Sequence, residues 1–551
     1  MANPPTPDAR LDAESLRFIL GLKLRKLRQE KGLSLSSLAK GAGISISYLS
    51  EIEAGRKHPK PEKLARLAQA LAVPYDELVS LQVGGELDPL KAFLGSEFVR
   101  EFPFELFGIA PQDLFALVAD MPTKSAALFQ TFLEIGRTYG VQVEHLLFAA
   151  LRSYQQLRHN YFQEMEEAAA AFRTAEGWTN GESPPADALR ALLVERHGCA
   201  VDEEVLGRHP ELHGFRSVFV PGDPPRLLVN ERLLPSQKAF IFGREIAYRE
   251  LGLRDRAVTG SWLNVDSFDQ VLNNFKASYF AGAILIDETA LVDALGGFFA
   301  RGRWDGQVFL DVMGRFDATP EMFFYRLTQV VPERFGLSEI FFLRFHHATG
   351  SDDYRLTKVL NLSHVPVPHG IGLDEHYCRR WPSLRLLAHL DRPRRGPHPA
   401  AAEATPLVTA VPPVVPPILP IAAQRSRFLN EDATFFVIAV SRPLSLTEGV
   451  RSCVSIGFLV DEAFRERVTF WSDPEVPEVA VNLTCERCGL TPEECQDRVA
   501  PPTIFRQERE HEAQARALAE LLESGEVSAD GGSPGIGSPG TGSPRTGAEV
   551  P

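Results

Sequence analysis

The stretch GLSLSSLAKGAGISISYLSEIEAGR, residues 32–56, carries the signals of two short helices joined by a tight turn. Ser34 and Ser45 each stand where a hydroxyl can cap a helix N-terminus, by accepting a hydrogen bond from an otherwise unpaired backbone N–H. Gly41 and Gly43 bracket the turn, where glycine adopts unusual dihedral angles at little cost. The pattern predicts one small core shared by the apolar residues Leu35, Leu38, Ala39, Ile44, Leu49 and Ile52.

The residues around this stretch extend it into a small basic bundle. Apolar residues recur at helical spacing between residues 15 and 31, and Gly55 and Pro61 are placed to end the second helix and begin the next. Between Ser15 and Ser80 there are twelve Lys and Arg residues against six Asp and Glu residues, while the whole chain has a net charge of −14. A basic module on an acidic body is typical of a chain that meets nucleic acid at one end.

This module, residues 15–82, resembles the Cro/C1 (XRE)-type helix-turn-helix family of bacterial and phage regulators. The Leu-Ala pair, the turn glycine and the pattern Ile-Ser-x-x-x-Leu-Ser-x-Ile-Glu-x-Gly carry the resemblance. It implies that the second helix enters the major groove of a double-stranded DNA operator and that a homodimer binds two half-sites. The base-facing candidates are Ser45, Ser47, Tyr48 and Glu51, and the phosphate-contacting candidates are Lys40, Arg56 and Lys57. The alternative is a helical bundle with a solvated basic face.

The segment QKAFIFGREIAYRELG, residues 237–252, resembles the central helix of ImmA/IrrE-type metallopeptidase domains. That helix carries His-Glu-x-x-His in the family, and a later segment supplies the third zinc ligand. Here Arg244 and Tyr248 replace the histidines and Asn274 replaces the third ligand, so only the general base remains, as Glu245. Because a guanidinium, a phenol and an amide do not hold zinc as two imidazoles and a carboxylate do, we expect no enzymatic activity. The alternative is a zinc metallopeptidase-type regulator that cleaves a repressor.

Three cysteines near the C-terminus, Cys485, Cys488 and Cys495, follow the spacing C-x₂-C-x₆-C. Such thiolates can share one metal centre, for which Cys378 is the predicted fourth ligand. A 4Fe-4S cluster is the predicted cofactor, because a centre that oxidation alters gives a regulator a signal. A structural zinc ion and cysteines without a metal remain the alternatives. Six cysteines in 551 residues are too few for a disulfide framework.

The order of these parts resembles the short-chain fatty acyl-CoA regulators of the RamB type over most of residues 15–505. The further motifs are FFLRFHHATG at residues 341–350, Cys-x-x-Trp at residues 378–381, and the terminal cysteine segment that ends in Pro-Pro. The resemblance implies control of carbon-metabolism genes by an acyl-CoA effector that binds the body of the protein. The chain departs from the family pattern in its Pro-rich insertion, residues 393–424, and at Phe458, where a cysteine is expected.

Together these features predict a multidomain chain that is mainly α and then α+β. The expected parts are a flexible N-terminus (1–14), a helix-turn-helix bundle (15–82), a helical connector and dimerisation region (83–180), a degenerate IrrE-like α+β sensor domain (186–345), a C-terminal Cys-containing α+β domain (346–506), a helix (507–524) and a disordered tail (525–551).

Neither a membrane-spanning apolar run nor a secretory signal is present in the sequence, which predicts a cytoplasmic protein without a membrane partner. An adaptor that docks partners through the tail is a further alternative to a regulator.

Overall fold

The structure, a computed structural model, describes residues 13–53, 57–79, 103–107, 131, 134–135, 143–256, 267–369, 375–391 and 419–524. These residues form two compact units. One holds the described residues up to 369 together with 380–391 and 419–481, and the other holds 375–379 and 482–524. Arg56, most of the predicted connector and the predicted tail lie outside the described residues. The predicted fold class, a helical N-terminal bundle followed by helical and α+β regions, is confirmed.

The N-terminal module is a bundle of short helices around a continuous apolar core. Ser34 caps the second helix, because its hydroxyl accepts a hydrogen bond from the N–H of Ser37 at 3.1 Å. Gly43 ends that helix in the left-handed conformation, with φ 62°. The helices are α1 Ala13–Glu30, α2 Leu35–Ala42, α3 Ile46–Glu53, α4 Pro61–Leu71 and α5 Tyr75–Val79. The fully buried core residues include Leu24, Leu38, Leu49, Ile52, Leu67 and Leu71.

The body of the first unit contains helices that pack on two sheets. The helices are α6 Val143–Leu157, α7 Gln163–Ala175, α8 Ala186–Glu195, α9 Pro235–Glu250, α10 Phe268–Leu285, α11 Glu288–Phe299, α12 Gly306–Gly314, α13 Pro320–Phe335, α14 Pro382–Asp391 and α15 Glu462–Arg467. The strands are β1 Ala200–Asp202, β2 Ser217–Val220, β3 Arg226–Val229, β4 Ile340–Ala348, β5 Tyr354–Asn361, β6 Ile421–Phe428, β7 Thr434–Pro443, β8 Val450–Leu459 and β9 Glu478–Val481.

The two sheets differ in size and in strand direction. The small sheet has the order β1-β3-β2, with β3 parallel to β1 and antiparallel to β2. The large sheet has the order β5-β4-β8-β7-β6-β9, and its pairs are antiparallel except for β6 with β9. One aromatic-rich core extends from α9 and α10 through α13 to the large sheet, so the two sheets belong to one body.

Two sequence-derived boundaries differ from the structure. The boundary expected between residues 345 and 346 falls inside β4, which pairs with β8 from the far side of that boundary. The Pro-rich insertion expected to reach residue 424 ends earlier, because β6 begins at Ile421 and its first residues are buried. Both differences arise because strands distant in sequence pair with one another, and no local pattern reveals such pairing.

A buried ion pair joins three helices of the body. Arg326 of α13 donates two hydrogen bonds to Glu166 of α7, at 2.5 and 2.7 Å, and the hydroxyl of Tyr279 of α10 donates a third at 2.6 Å. Burial opposes ionisation of Glu166, but Arg326 outweighs that effect and holds the pKa of the carboxyl below its usual range. Removing either charge would leave the other buried without compensation, so this network fixes how the helices pack.

The second unit is built from the short segment 375–379 and the residues after 482. An antiparallel bridge joins Tyr377 to Thr484, and the N–H of Cys485 donates to the carbonyl of His376 at 2.9 Å. The helix expected from residue 507 is α16, Thr503–Ser524. In the described part of the chain, none of the helices is both long and apolar enough to cross a bilayer.

Candidate functional site

The second helix of the predicted motif, α3, presents a polar face. Ser45 caps it, because its hydroxyl accepts a hydrogen bond from the N–H of Tyr48 at 3.2 Å. Ser45 and Ser47 are exposed, and Tyr48 and Glu51 are half-buried on the same side. The predicted base-facing residues therefore lie together on one helix, whereas the buried Leu49 and Ile52 hold the opposite side in the core.

Two lysines from outside α3 contact the side chains of this face. Lys63 of α4 places its ammonium 4.1 Å from the centre of the Tyr48 ring, and Lys57 lies 5.8 Å from the same ring. Lys57 also forms an ion pair of 2.8 Å with Glu51, and that hydrogen bond raises the pKa of Lys57. The sequence interpretation assigned Lys57 to phosphate and did not include Lys63. The position of Lys63 in the first turn of α4, two residues after Pro61, could have indicated from the sequence that it lies near α3.

The module is held together beneath this face by a second ion pair. The guanidinium of Arg28 on α1 donates to both carboxylate oxygens of Glu53, at 2.7 and 2.8 Å, and to the carbonyl of Leu33 at 3.0 Å. Glu53 is buried and ends α3. A bidentate pair in this position fixes the angle between α1 and α3.

The three positions that the sequence resemblance assigns to zinc ligands do come together. Arg244 of α9 donates a hydrogen bond to the side-chain oxygen of Asn274 on α10. Arg244 also shares a side-chain hydrogen bond with Tyr248, one turn along α9, while burial lowers the pKa of the arginine. A guanidinium thus occupies the point where the three side chains converge, and it brings positive charge rather than a metal-binding lone pair.

Glu245, the remaining peptidase-type residue, is engaged by two arginines. Its carboxylate accepts hydrogen bonds from Arg256, at 2.7 and 2.9 Å, and from Arg249. Burial opposes its ionisation, but Arg256 and Arg249 outweigh that effect and hold the pKa of Glu245 below its usual range. The carboxylate is therefore a structural anion, and its basicity is low for a general base.

A second cluster, which the sequence interpretation missed, lies on one face of the large sheet. Arg344 of β4 is directly opposite Lys358 of β5, and two residues along β4 His346 is opposite Ser452 of β8. Since side chains two apart on a strand share a face, these groups point the same way. Arg216, which precedes β2, adds positive charge close enough to lower the pKa values of Arg344 and Lys358. We call Arg216, Arg344, His346 and Lys358 the basic recess.

The side chains of the recess differ in their exposure to solvent. Arg216 and Lys358 are accessible to solvent, and Arg344 and His346 are partly so. Burial and the neighbouring cations nevertheless lower the pKa of Lys358 to about 7, of Arg344 to about 10 and of His346 to about 4.

The acidic neighbour of the recess does not neutralise it. Glu321 accepts a hydrogen bond from Arg442 at 2.7 Å and another from Ser452 at 2.8 Å. Burial opposes the ionisation of Glu321, yet Arg442 holds its pKa below the usual range. Because Glu321 forms an ion pair with Arg442, the recess keeps an excess of positive charge and suits an anion.

The four predicted metal-ligating cysteines lie in the second unit, and all are buried. The sulfur of Cys485 accepts hydrogen bonds from the backbone N–H groups of Val499 and Ala500, although burial dominates and raises its pKa. Backbone N–H donors of this kind stabilise a thiolate bound to a metal. Arg498 donates to the carbonyl of Cys488 at 3.2 Å. The donor set, four buried thiols in one unit with amide donors to one sulfur, fits the chemistry of a thiolate-ligated centre.

These four cysteines do not form a closed coordination sphere in the structure. Across the described ranges, no group of three or more His, Cys, Asp or Glu side chains stands in metal-binding geometry. The nearby carboxylates serve other partners, since Glu486 accepts from His376 at 2.8 Å and Glu375 accepts from Arg487 at 2.9 Å. Cys199 and Cys453 lie in the first unit and are fully buried, as cysteines that pack as small apolar residues are.

Comparison with known proteins identifies the N-terminal module. Residues 24–78 match the helix-turn-helix family, so the predicted DNA-binding module is confirmed. A solved structure of a Mycobacterium tuberculosis transcriptional regulator is 19% identical, with a TM-score of 0.42, and the match covers 64% of this chain and 93% of that chain. No curated protein matches the chain.

Proposed function

We propose that the chain is a transcription regulator that binds an operator through α3 and responds to an acyl-CoA bound in the basic recess. The observation that carries the first part is the capped helix pair α2–α3 in residues that match the helix-turn-helix family. Ser45 and Ser47 at the N-terminal half of α3 would contact base edges, as the recognition helix of such modules does. Lys40, Arg56 and Lys57 would contact phosphates, and Lys63 joins them on the basis of its place beside Tyr48.

A homodimer follows from the kind of module rather than from a contact in the structure. Single helix-turn-helix modules bury little DNA surface, and such proteins gain affinity by placing two copies on half-sites one helical turn apart. We propose that two copies of this chain bind a two-fold symmetric operator.

The effector assignment rests on the charge of the recess. Coenzyme A thioesters carry several phosphate charges, and Arg216, Arg344 and Lys358 supply cations that are close enough to influence one another. Charge-assisted hydrogen bonds to phosphate gain strength where water is partly excluded.

The proposed cofactor would be held by Cys378, Cys485, Cys488 and Cys495. A 4Fe-4S cluster would supply an oxidation-sensitive centre, whereas zinc, the alternative, would mainly stabilise the fold. The buried thiols and the amide donors of Val499 and Ala500 support a thiolate centre, and they do not distinguish between the two metals.

We also propose that the peptidase-like centre is inactive. Arg244 and Asn274 bond to each other in place of a zinc ion, and Glu245 is tied to two arginines. A peptidase that cleaves a repressor would instead need an open zinc position and a water molecule for the glutamate to activate.

Salt-dependent DNA binding tests the operator interface. The DNA ligand is a fragment selected from a random pool by the wild-type chain. Lys40→Ala and Lys63→Ala should each weaken binding and reduce the slope of log affinity against log salt by about one, because each removes about one phosphate contact. Arg303→Ala is the matched control, since Arg303 is an exposed arginine of the body, and it should leave the slope unchanged. Equal slopes for all variants would contradict the assignment.

A further inference from the structure

One tyrosine of α13, Tyr325, contacts both the basic recess and helix α6. The ammonium of Lys358 lies 3.3 Å from the centre of the Tyr325 ring. The hydroxyl of Tyr325 accepts a hydrogen bond from the side-chain amide of Gln155, in α6, at 2.8 Å. The cation of the recess and the end of α6 therefore contact the ring and the hydroxyl of a single rigid side chain.

The end of α6 is held by a compact polar network. The amide of Gln155 also donates to the side-chain oxygen of Asn160 at 2.9 Å, and Asn160 donates to the hydroxyl of Thr328 at 2.9 Å. From the next residue of α6, Gln156 donates to the carbonyl of Asn361, at the end of β5, at 2.8 Å. Residues of α13 and of β5, the elements that carry Tyr325 and Lys358, thus form hydrogen bonds with the same turn at the end of α6.

This turn is also where the backbone is strained. His159 and Asn160 are successive non-glycine residues with positive φ, 47° and 54°. Such conformations persist only where surrounding contacts hold them, and they occur often in segments that switch between arrangements. Asn160 is fully buried, so its conformation depends on the bonds to Gln155 and Thr328. Loss of one bond would favour a different arrangement of the turn.

We infer that Tyr325 transmits occupancy of the basic recess to the C-terminal turn of α6. This rests on the proposed effector site and names the route by which that site acts. A phosphate in the recess attracts the Lys358 ammonium more strongly than an aromatic face does. When the ammonium leaves the ring, Tyr325 loses the contact that helps to fix its position. The distance between its hydroxyl and the amide of Gln155 in α6 then changes. In the sequence, α6 lies between the DNA-binding module and the recess.

The test is a double-mutant cycle on the full chain. Tyr325→Phe keeps the ring for Lys358 and removes only the oxygen that accepts from Gln155, while Lys358→Met removes the cation. Hydrogen exchange of the α6 amides is measured for both single variants and the double variant without ligand. We expect Lys358→Met to change exchange in α6 several-fold in the wild-type background and to have little further effect beside Tyr325→Phe. Effects that add within about twofold would overturn the inference.

A second readout uses acetyl-CoA as the probe and the selected DNA fragment as the reporter. We expect Tyr325→Phe to bind acetyl-CoA within about twofold of the wild-type affinity and to lose the change in DNA affinity that the ligand causes. Tyr161→Phe is the matched control, because its hydroxyl accepts from Arg334 rather than from α6, and it should keep the full ligand effect. Gln155→Met breaks the same bond from the other side if Tyr325→Phe does not fold.

The two proposals fail differently. If the wild-type chain does not bind acetyl-CoA, the effector assignment fails, and the exchange cycle on the free protein still decides the coupling. If acetyl-CoA binds and alters DNA affinity equally in wild type, Tyr325→Phe and Gln155→Met, the route through Tyr325 is wrong although the effector site stands.

Discussion

Single residues in the basic recess have properties that follow from their surroundings rather than from their type. Desolvation, together with Arg344 and Arg216, lowers the pKa of Lys358 to about 7, so the free protein loses this charge as the pH rises through neutrality. His346, with a pKa of about 4, stays neutral through the same range. The charge that the recess offers to an anion is therefore set by the titration of a lysine.

Affinity for acetyl-CoA should consequently depend on pH. A bound phosphate favours the charged lysine, so binding takes up a proton wherever Lys358 is neutral in the free protein. Affinity should be highest near pH 7 and should fall by up to about tenfold per pH unit above it, a range in which the phosphates stay ionised. Calorimetry between about pH 7 and 9 measures this trend. Lys358→Arg keeps its charge throughout and should flatten the dependence, whereas an unchanged slope in that variant would assign the titration to another group.

At the scale of elements, the packing of α9 against α10 brings together the three positions that the peptidase resemblance assigns to zinc ligands. The contacts of Arg244 with Asn274 and with Tyr248 place the three positions within reach of one atom. Restoring the family ligands by Arg244→His, Tyr248→His and Asn274→Glu should therefore create a site for about one zinc ion per chain. Metal analysis after dialysis measures it, with Arg244→His alone as the control, which should gain none.

The same experiment examines the assignment of an inactive centre. Zinc uptake by the triple variant would support the interpretation that the fold is kept and the chemistry is lost. Failure to bind zinc in a folded triple variant would mean that the three positions do not form a degenerate zinc site. Zinc-dependent proteolysis by the wild-type chain, abolished by Glu245→Ala, would contradict the expectation that the chain is not an enzyme.

Elements differ in how far the sequence reveals them. The caps of the α2–α3 pair were predictable, because Ser34, Ser45 and Gly43 act on the backbone within a few positions of themselves. Gly41, which was expected to border the turn, lies instead within α2, and Gly43 alone takes the left-handed conformation there. The basic recess was not, because Arg216, Arg344 and Lys358 come from separate segments that only strand pairing and helix packing bring together. The boundary wrongly expected inside β4 and the Pro-rich insertion that ends earlier than expected have the same origin.

At the scale of the whole molecule, the second unit contains the four cysteines, and the first unit contains the DNA-binding and recess residues. Anaerobic purification should give brown protein with broad visible absorption and about one 4Fe-4S cluster per chain. Cys488→Ser should lose the cluster, and Cys453→Ser, which removes a buried thiol of the first unit, should keep it. Colourless protein with one equivalent of zinc would decide for the structural alternative, and protein without metal would mean that the thiols bind none.

The operator interface is tested most directly by selecting DNA from a random pool with the full chain, once as wild type and once as Ser47→Arg. Because Ser47 is exposed on α3, this variant should change which bases are chosen while the module stays folded. We predict that the wild type enriches inverted repeats whose half-sites lie about one helical turn apart, and that the variant enriches repeats altered at the same positions of each half-site. Failure of the wild type to enrich any sequence, or identical sequences from both proteins, would contradict sequence reading by α3.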